Sequence, residues 1–150
     1  MKFWRTTILL FAFFLSFGLK AQNLQKTVEK YCSFLIRIDL DKEDFLRKLK
    51  IFIDPEINRD SFCNEYYKNW HHRKEQIGYS KYIKISNISY TSDSTATVEI
   101  SDLWAFYNGE KYEFIADSFW IKKRNKWCRS AEPAVTKSKN ELNEFLDKKL

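Results

Sequence analysis

Between Lys81 and Val135 the chain reads as four strand-like stretches: KYIKISNISY, TATVEISDLWAFY, EKYEFIADSFWIKK and KWCRSAEPAV. The joints between them, TSDS, NGE and RN, are short and turn-forming. Parallel neighbours need a long crossover, whereas antiparallel ones close with a tight turn, so this half of the chain is an antiparallel meander.

The strands differ in how they are buried. In the second, Ala96, Val98, Ile100, Trp104 and Phe106 share one phase, and Thr95, Thr97, Glu99 and Ser101 take the other. That alternation describes a half-buried strand. In the third, Tyr112, Phe114, Ala116 and Trp120 alternate with Ile115, Phe119 and Ile121, so both faces are apolar and the strand is central or covered twice. In the first, the apolar phase slips between Ile85 and Ile88, which predicts a bulge near Ser86-Asn87 and a bent sheet. Asn108-Gly109 is a tight-hairpin signal whose favoured turn takes positive φ at both central residues.

Helices precede the strands. From Asn23 to about Asp39, Leu24, Val28, Tyr31, Leu35 and Ile38 recur at spacings of four, three, four and three, one apolar stripe of an amphipathic helix. Asp41 is placed to cap a second, short helix built on Phe45, Leu46 and Leu49, followed by a brief extended or buried run, Ile51-Phe52-Ile53. Asp60 is placed to cap a third, with Phe62, Cys63, Tyr66, Tyr67 and Trp70 at helical spacing and Gly78 as its terminator. Ser138 and Glu141 form a capping box for a helix over 138–150, with Leu142, Phe145 and Leu146 on one side.

The first residues are set apart by composition. Lys2 and Arg5 precede a twelve-residue apolar run, Ile8 to Leu19, and Ala21 supplies a small residue at its end. This is the layout of a cleavable secretory signal, and the run is shorter than the roughly 20 apolar residues that span a bilayer. The expected organisation is a signal peptide over 1–21, one domain over 22–137 and a terminal helix over 138–150. The mature chain is then secreted or periplasmic, with no stable membrane insertion. Lys2, Arg5 and Lys20 leave with the signal, so the net charge falls from +6 to +3 and no nucleic-acid partner is called for. Cys32, Cys63 and Cys128 remain. An oxidising compartment permits one bridge, and Cys32–Cys63, helix to helix, is the first pairing to consider. The other reading keeps all three as buried thiols that pack like small hydrophobes.

The stretch from Asn87 to Arg129 resembles the sheet of the nuclear transport factor 2-like (NTF2-like, cystatin-like α+β) superfamily. The resemblance rests on Ala96-Thr97-Val98 after a polar hairpin, the Asn108-Gly109 turn, and Trp120 and Trp127 on either side of KKRNK. It spans about residues 24–135. It implies an α+β fold in which the amino-terminal helices pack in the concave face of a curved antiparallel sheet, a cone with an apolar pocket, to which the terminal helix is an addition. It also implies a homodimer. The superfamily holds isomerases, dehydratases and cyclases beside non-catalytic binding domains, so the fold by itself does not choose an activity.

Asp102 shares its phase with Ile100, Trp104 and Phe106, so an unbroken strand turns its carboxylate toward the apolar side, where burial raises its pKa. Enzymes of the superfamily hold a general base on that face, and Tyr31, Tyr66 and Asp117 are the partners within the sequence. The alternative is that a bulge turns Asp102 outward, or that it pairs with Lys or Arg at a rim. Trp104, Phe106, Tyr112, Phe114, Trp120 and Trp127, with Tyr31 and Tyr66, are the candidates to line a pocket for a flat apolar ligand, each of them also suited to plain core packing. His71, His72 and Glu75 offer too few converging groups for a metal, and no cofactor motif is present. The reading that follows is a non-catalytic domain binding a small apolar molecule or a protein partner. Its alternative is a cofactor-independent isomerase or dehydratase using Asp102 as acid/base. The signal assignment has a direct check. Expressed in a secreting host, the exported protein should begin at Gln22 by amino-terminal sequencing, and a start at Met1 would refute it.

Overall fold

The computed structural model describes residues 23–136. The expected signal peptide and the expected terminal helix over 138–150 lie outside the described residues.

Three helices come first. Helix α1 covers residues 23–35 and buries Leu24, Val28, Tyr31 and Leu35, whereas Ile38, the last residue of the expected stripe, lies past its end and is 47% exposed. It ends earlier than Asp39. Its last turn tightens, with the Arg37 amide donating to the Phe34 carbonyl at 3.2 Å, and the chain leaves through an exposed Arg37–Asp39 ion pair of 2.6 Å. Helix α2, Lys42–Phe52, is capped by Asp41, whose carboxylate accepts from the Asp44 amide at 2.8 Å. It takes in Ile51 and Phe52, leaving only Ile53 extended. Helix α3, Arg59–Gln76, is capped by Asn58, not Asp60: the Asn58 side chain accepts from the Ser61 amide at 3.2 Å, and Asp60 instead pairs with Lys50. Phe45 joins the helices. It is fully buried against Phe34, Tyr67 and Trp70, with ring centroids 4.9, 5.3 and 4.4 Å away.

The strands form one antiparallel sheet in the order β1-β2-β3-β4: Gly78–Tyr90, Thr95–Phe106, Lys111–Lys123 and Lys126–Arg129. The stretch expected as one last strand is two. Past Arg129 the chain leaves β3, passes Pro133, which has no N–H to give a ladder, and returns as β5, Val135–Thr136, against Ala116 and Asp117. Strand β3 is therefore central, as its two apolar faces suggested, although Ile115 on its outer face is 40% exposed.

The turns invert one expectation. At Asn108-Gly109 only Gly109 has positive φ (90°), while Asn108 folds its carboxamide back to accept from the Glu110 amide at 3.0 Å. This is a three-residue loop with glycine in the left-handed position. The two-residue turn with positive φ at both positions is Arg124 (48°) and Asn125 (63°), between β3 and β4.

Two register shifts bend β1. One is at Ser86, between Ile85 and Asn87, where the sequence predicted it, and a second is at Lys81, between Ser80 and Tyr82. Each inserts one extra residue and strengthens the local twist. The sheet curls into a half-barrel around the helices. Tyr31 of α1 meets Trp120 of β3 edge-on at 5.5 Å, and Ala96, Val98 and Trp120 complete the core from the sheet side. Three helices held in the concavity of a curled antiparallel meander are the α+β arrangement expected from the sequence.

Gly78 does not end α3 as a left-handed cap; Ile77 is the cap residue. Gly78 opens β1 so close to β2 that a Cβ there would lie 2.2 Å from the Ala105 carbonyl oxygen. Gly78→Ala should therefore cost about 1–3 kcal/mol of unfolding free energy in urea titrations. A neutral effect would show that the two strands are not held at this separation.

Candidate functional site

The concave faces of β1, β2 and β3 present one continuous set of side chains. Opposite pairs on it are Ser80 with Trp104, Ile83 with Asp102, and Asp102 with Phe114. Ser80 and Ile83 are three residues apart and would face opposite ways in a regular strand. The extra residue Lys81 turns both inward. Helix α3 stands over this surface with Tyr66, Trp70 and Arg73, and β4 contributes Arg129. The enclosed cavity is about 580 Å³ and opens to solvent. A deeper part of about 200 Å³ reaches Tyr31, Phe106 and Phe114. A separate depression of about 650 Å³ on α3, beside Tyr67 and His71, is shallow. There His71 pairs with Glu75 at 3.2 Å, one turn away.

Asp102 faces the cavity, in the phase the alternation predicted. One carboxylate oxygen accepts from the Ser80 hydroxyl, and the other accepts from Trp104 Nε1 at 2.9 Å. Burial pushes its pKa up, and the two hydrogen bonds and the positive charge of Arg73 pull the other way. The carboxyl is thus held in place and oriented, and its partial burial disfavours its charge.

Arg129 marks the other pole. It is 6% exposed. Its guanidinium lies over the rings of Phe62 and Tyr66, 5.9 and 5.8 Å from their centroids. Among the described residues no carboxylate lies within ion-pair distance of it. Among the described residues the fully buried side-chain polar atoms without a partner are the Tyr90 hydroxyl and Trp127 Nε1 and not the Arg129 nitrogens, so the fork keeps access to the cavity above its aromatic cradle. The Tyr31 and Tyr66 hydroxyls meet at 3.2 Å beside it. Burial, with Tyr66 next to it, raises the Tyr31 pKa well above the usual phenol range, against the pull of Arg129.

Of the aromatic candidates, Trp104, Phe106, Phe114, Tyr31 and Tyr66 line the deeper cavity. Trp120, Trp127 and Tyr112 do not. Trp120 is 1% exposed, wedged against Tyr31 with its Nε1 donating to Ser118 Oγ at 3.0 Å. Trp127 is 3% exposed and packs on Tyr90 near the β3–β4 turn. Tyr112 lies farther along β3, edge-on to Phe106 at 5.1 Å. Trp120 and Trp127 are packing residues because the helices fill one end of the cone and the hollow is at the other, while Tyr112, opposite Trp104 in the sheet, packs on Phe106 and Phe114.

The bridge considered between Cys32 and Cys63 is not formed; both thiols, and Cys128, are free and buried. Cys32 has Asp102 and Glu29 as charged neighbours, whereas Cys63 has Lys50, Asp60 and Arg59, so the two sulfurs sit in different parts of the core. Burial pushes the Cys32 thiol up to about 12, with Asp102 adding to it.

Sequence reasoning missed Arg129, Arg73 and Ser80. Arg129 was within reach: it shares the inward phase of Trp127, the same signal that singled out Asp102. Arg73 sits in a charged run that reads as solvated, and Ser80 depends on the bulge at Lys81.

No family model matches this sequence, and no curated protein matches it. Among solved structures the chain is similar to a designed NTF2-like protein, at 16% identity over 73% of this chain and 96% of that one, with a TM-score of 0.48. It is also similar to a SEC-C motif containing protein from Rhodopseudomonas palustris, at 20% identity and a TM-score of 0.46. That match covers 59% of this chain and 63% of the other, less than two thirds of its length.

Because the Asp102 pKa is raised on folding, the folded chain holds this proton more tightly than the unfolded chain. The cost of the ionised form is absent below the ordinary carboxylate range, grows as pH rises toward the raised value, and is complete above it. Asp102→Asn can still accept from Trp104 and bond to Ser80, and it removes that cost. Its stability relative to the native chain should rise as pH climbs from about 4, the ordinary carboxylate value, through the raised one, and then level off. A pH-independent offset in urea titrations would show that burial does not penalise this carboxylate.

Proposed function

We propose that this chain is a secreted or periplasmic, non-catalytic binding domain that holds a small, mainly apolar molecule inside the NTF2-like cone. The observation that carries this reading is the cavity itself. At about 580 Å³ it lies within the range of small-molecule sites, roughly 300–1,000 Å³. Its deeper part is walled by Trp104, Phe106 and Phe114, with a few fixed polar groups at Asp102 and Arg129. Apolar walls supply affinity and sparse polar groups supply orientation.

A second reading is a cofactor-independent enzyme of isomerase or dehydratase type, with Asp102 as acid/base. One observation favours it: a carboxyl of raised pKa aimed into a cavity, the condition a general base needs. Both oxygens already accept hydrogen bonds from Ser80 and Trp104, which suits a polar anchor equally well.

The test is fluorescence titration with the neutral probe N-phenyl-1-naphthylamine. Binding should be in the micromolar range, about −8 kcal/mol. Phe114→Ala should weaken it roughly tenfold, about 1.4 kcal/mol, by removing wall area. If the probe does not bind, or if Phe114→Ala leaves its affinity unchanged, the cone is not the site.

A further inference from the structure

We infer that the cone selects a ligand with one acidic group, a carboxylate on a flat apolar body, and that Arg129 receives that group. This rests on the binding reading above and adds the class of ligand to it.

Four observations converge. First, Arg129 is a cation more than nine-tenths buried whose side chain reaches the cavity. Its partners there are aromatic: the faces of Phe62 and Tyr66. A guanidinium carries five N–H donors in a planar fork and no acceptor, and ring faces leave that fork without a carboxylate to match it. Second, its backbone is pinned. The Arg129 carbonyl accepts from the Asp54 amide at 3.1 Å and the Ser130 amide donates to the Phe119 carbonyl at 2.8 Å, so β4 holds the side chain at the cavity wall rather than letting it swing out. Third, the charges lining the cavity do not cancel. Arg73, Lys74 and Arg129 stand against Glu65 and Asp102, an excess of one positive charge. Of the three cations Arg73 is exposed and Lys74 is half-buried with its ammonium on the Ile38 carbonyl, so Arg129 is the buried one. Fourth, Arg129 and the aromatic wall of Trp104, Phe106 and Phe114 border the same deeper hollow, so a ring seated there places a substituent within reach of the fork.

The chemistry narrows the group. One excess positive charge matches a monoanion, whereas a dianionic phosphate would bring a second negative charge with no cation left to meet it. A carboxylate meets the fork with two parallel N–H···O bonds and fits a planar body better than a tetrahedral anion does.

The probes are 2-naphthoate and its neutral counterpart 2-naphthamide, titrated calorimetrically into the full chain at neutral pH. The native protein should bind the naphthoate at least tenfold more tightly, about 1.4 kcal/mol. Arg129→Gln should abolish that preference while still binding the amide, and Arg129→Lys, which keeps the charge but not the fork, should retain part of it. Circular dichroism checks that each variant is folded. Should Arg129→Gln fail to fold, the preference of the native chain and its reduction in Arg129→Lys decide. Equal affinity for the two probes in the native chain, or a preference that survives Arg129→Gln, would overturn the assignment and leave the pocket standing. Failure of both probes to bind would overturn the pocket reading as well.

Discussion

The site depends on two extra residues in β1. A curled sheet must keep one face pointing inward along its whole length, and regular two-residue alternation on a strongly bent strand does not manage that by itself. Lys81 and Ser86 each add a step, so Ser80, Ile83, Ile85, Ile88 and Tyr90 all meet inward partners on β2: Trp104, Asp102, Ile100, Val98 and Ala96. The bulges supply the bend and preserve the phase together. Without them half of β1 would turn its isoleucines to solvent, and the helices would have no concavity to fill.

The cone is filled unevenly. At one end Tyr31, Phe45, Leu49, Val98 and Trp120 pack with almost no exposure, and the indole of Trp120 satisfies its N–H within the sheet. Toward the other end, where α3 runs into β1, the hollow between α3 and the sheet holds the polar residues. Packing and binding are thus separated along the same strands: the first half of β2 is core and its second half is wall.

The two charged groups of the cavity, one half-buried and one buried, are held in different ways. Asp102 is an acceptor supplied with donors from its own sheet, which fixes its orientation at the expense of its ease of ionisation. Arg129 is a donor group supplied only with ring faces. One carboxyl is internally satisfied and one guanidinium is not, and that asymmetry gives the hollow a sign. The neighbouring phenols of Tyr31 and Tyr66 bond to each other, and burial holds the Tyr31 proton on, so neither offers a carboxylate's charge to Arg129.

Much of this was legible in the chain itself. The alternation from Ala96 to Phe106 placed Asp102 on the inward side, the slip between Ile85 and Ile88 located one bulge, and the stripe from Leu24 to Ile38 placed α1 though it ran past the helix end, because each of these patterns is local and repeats within a few residues. The cap of α3, the split after Arg129 and the exchange of turn types between Asn108-Gly109 and Arg124-Asn125 were less legible, since neighbouring residues offer competing solutions of similar energy. Which aromatic residues face a hollow, and which fill the core, was decided only when the helices took their places against the sheet. The same holds for the meeting of Arg129 with Tyr66, 63 positions away in the chain. Periodicity records which way a side chain points from its own backbone. What stands opposite it depends on register and packing between distant segments, and no short stretch of sequence contains that information.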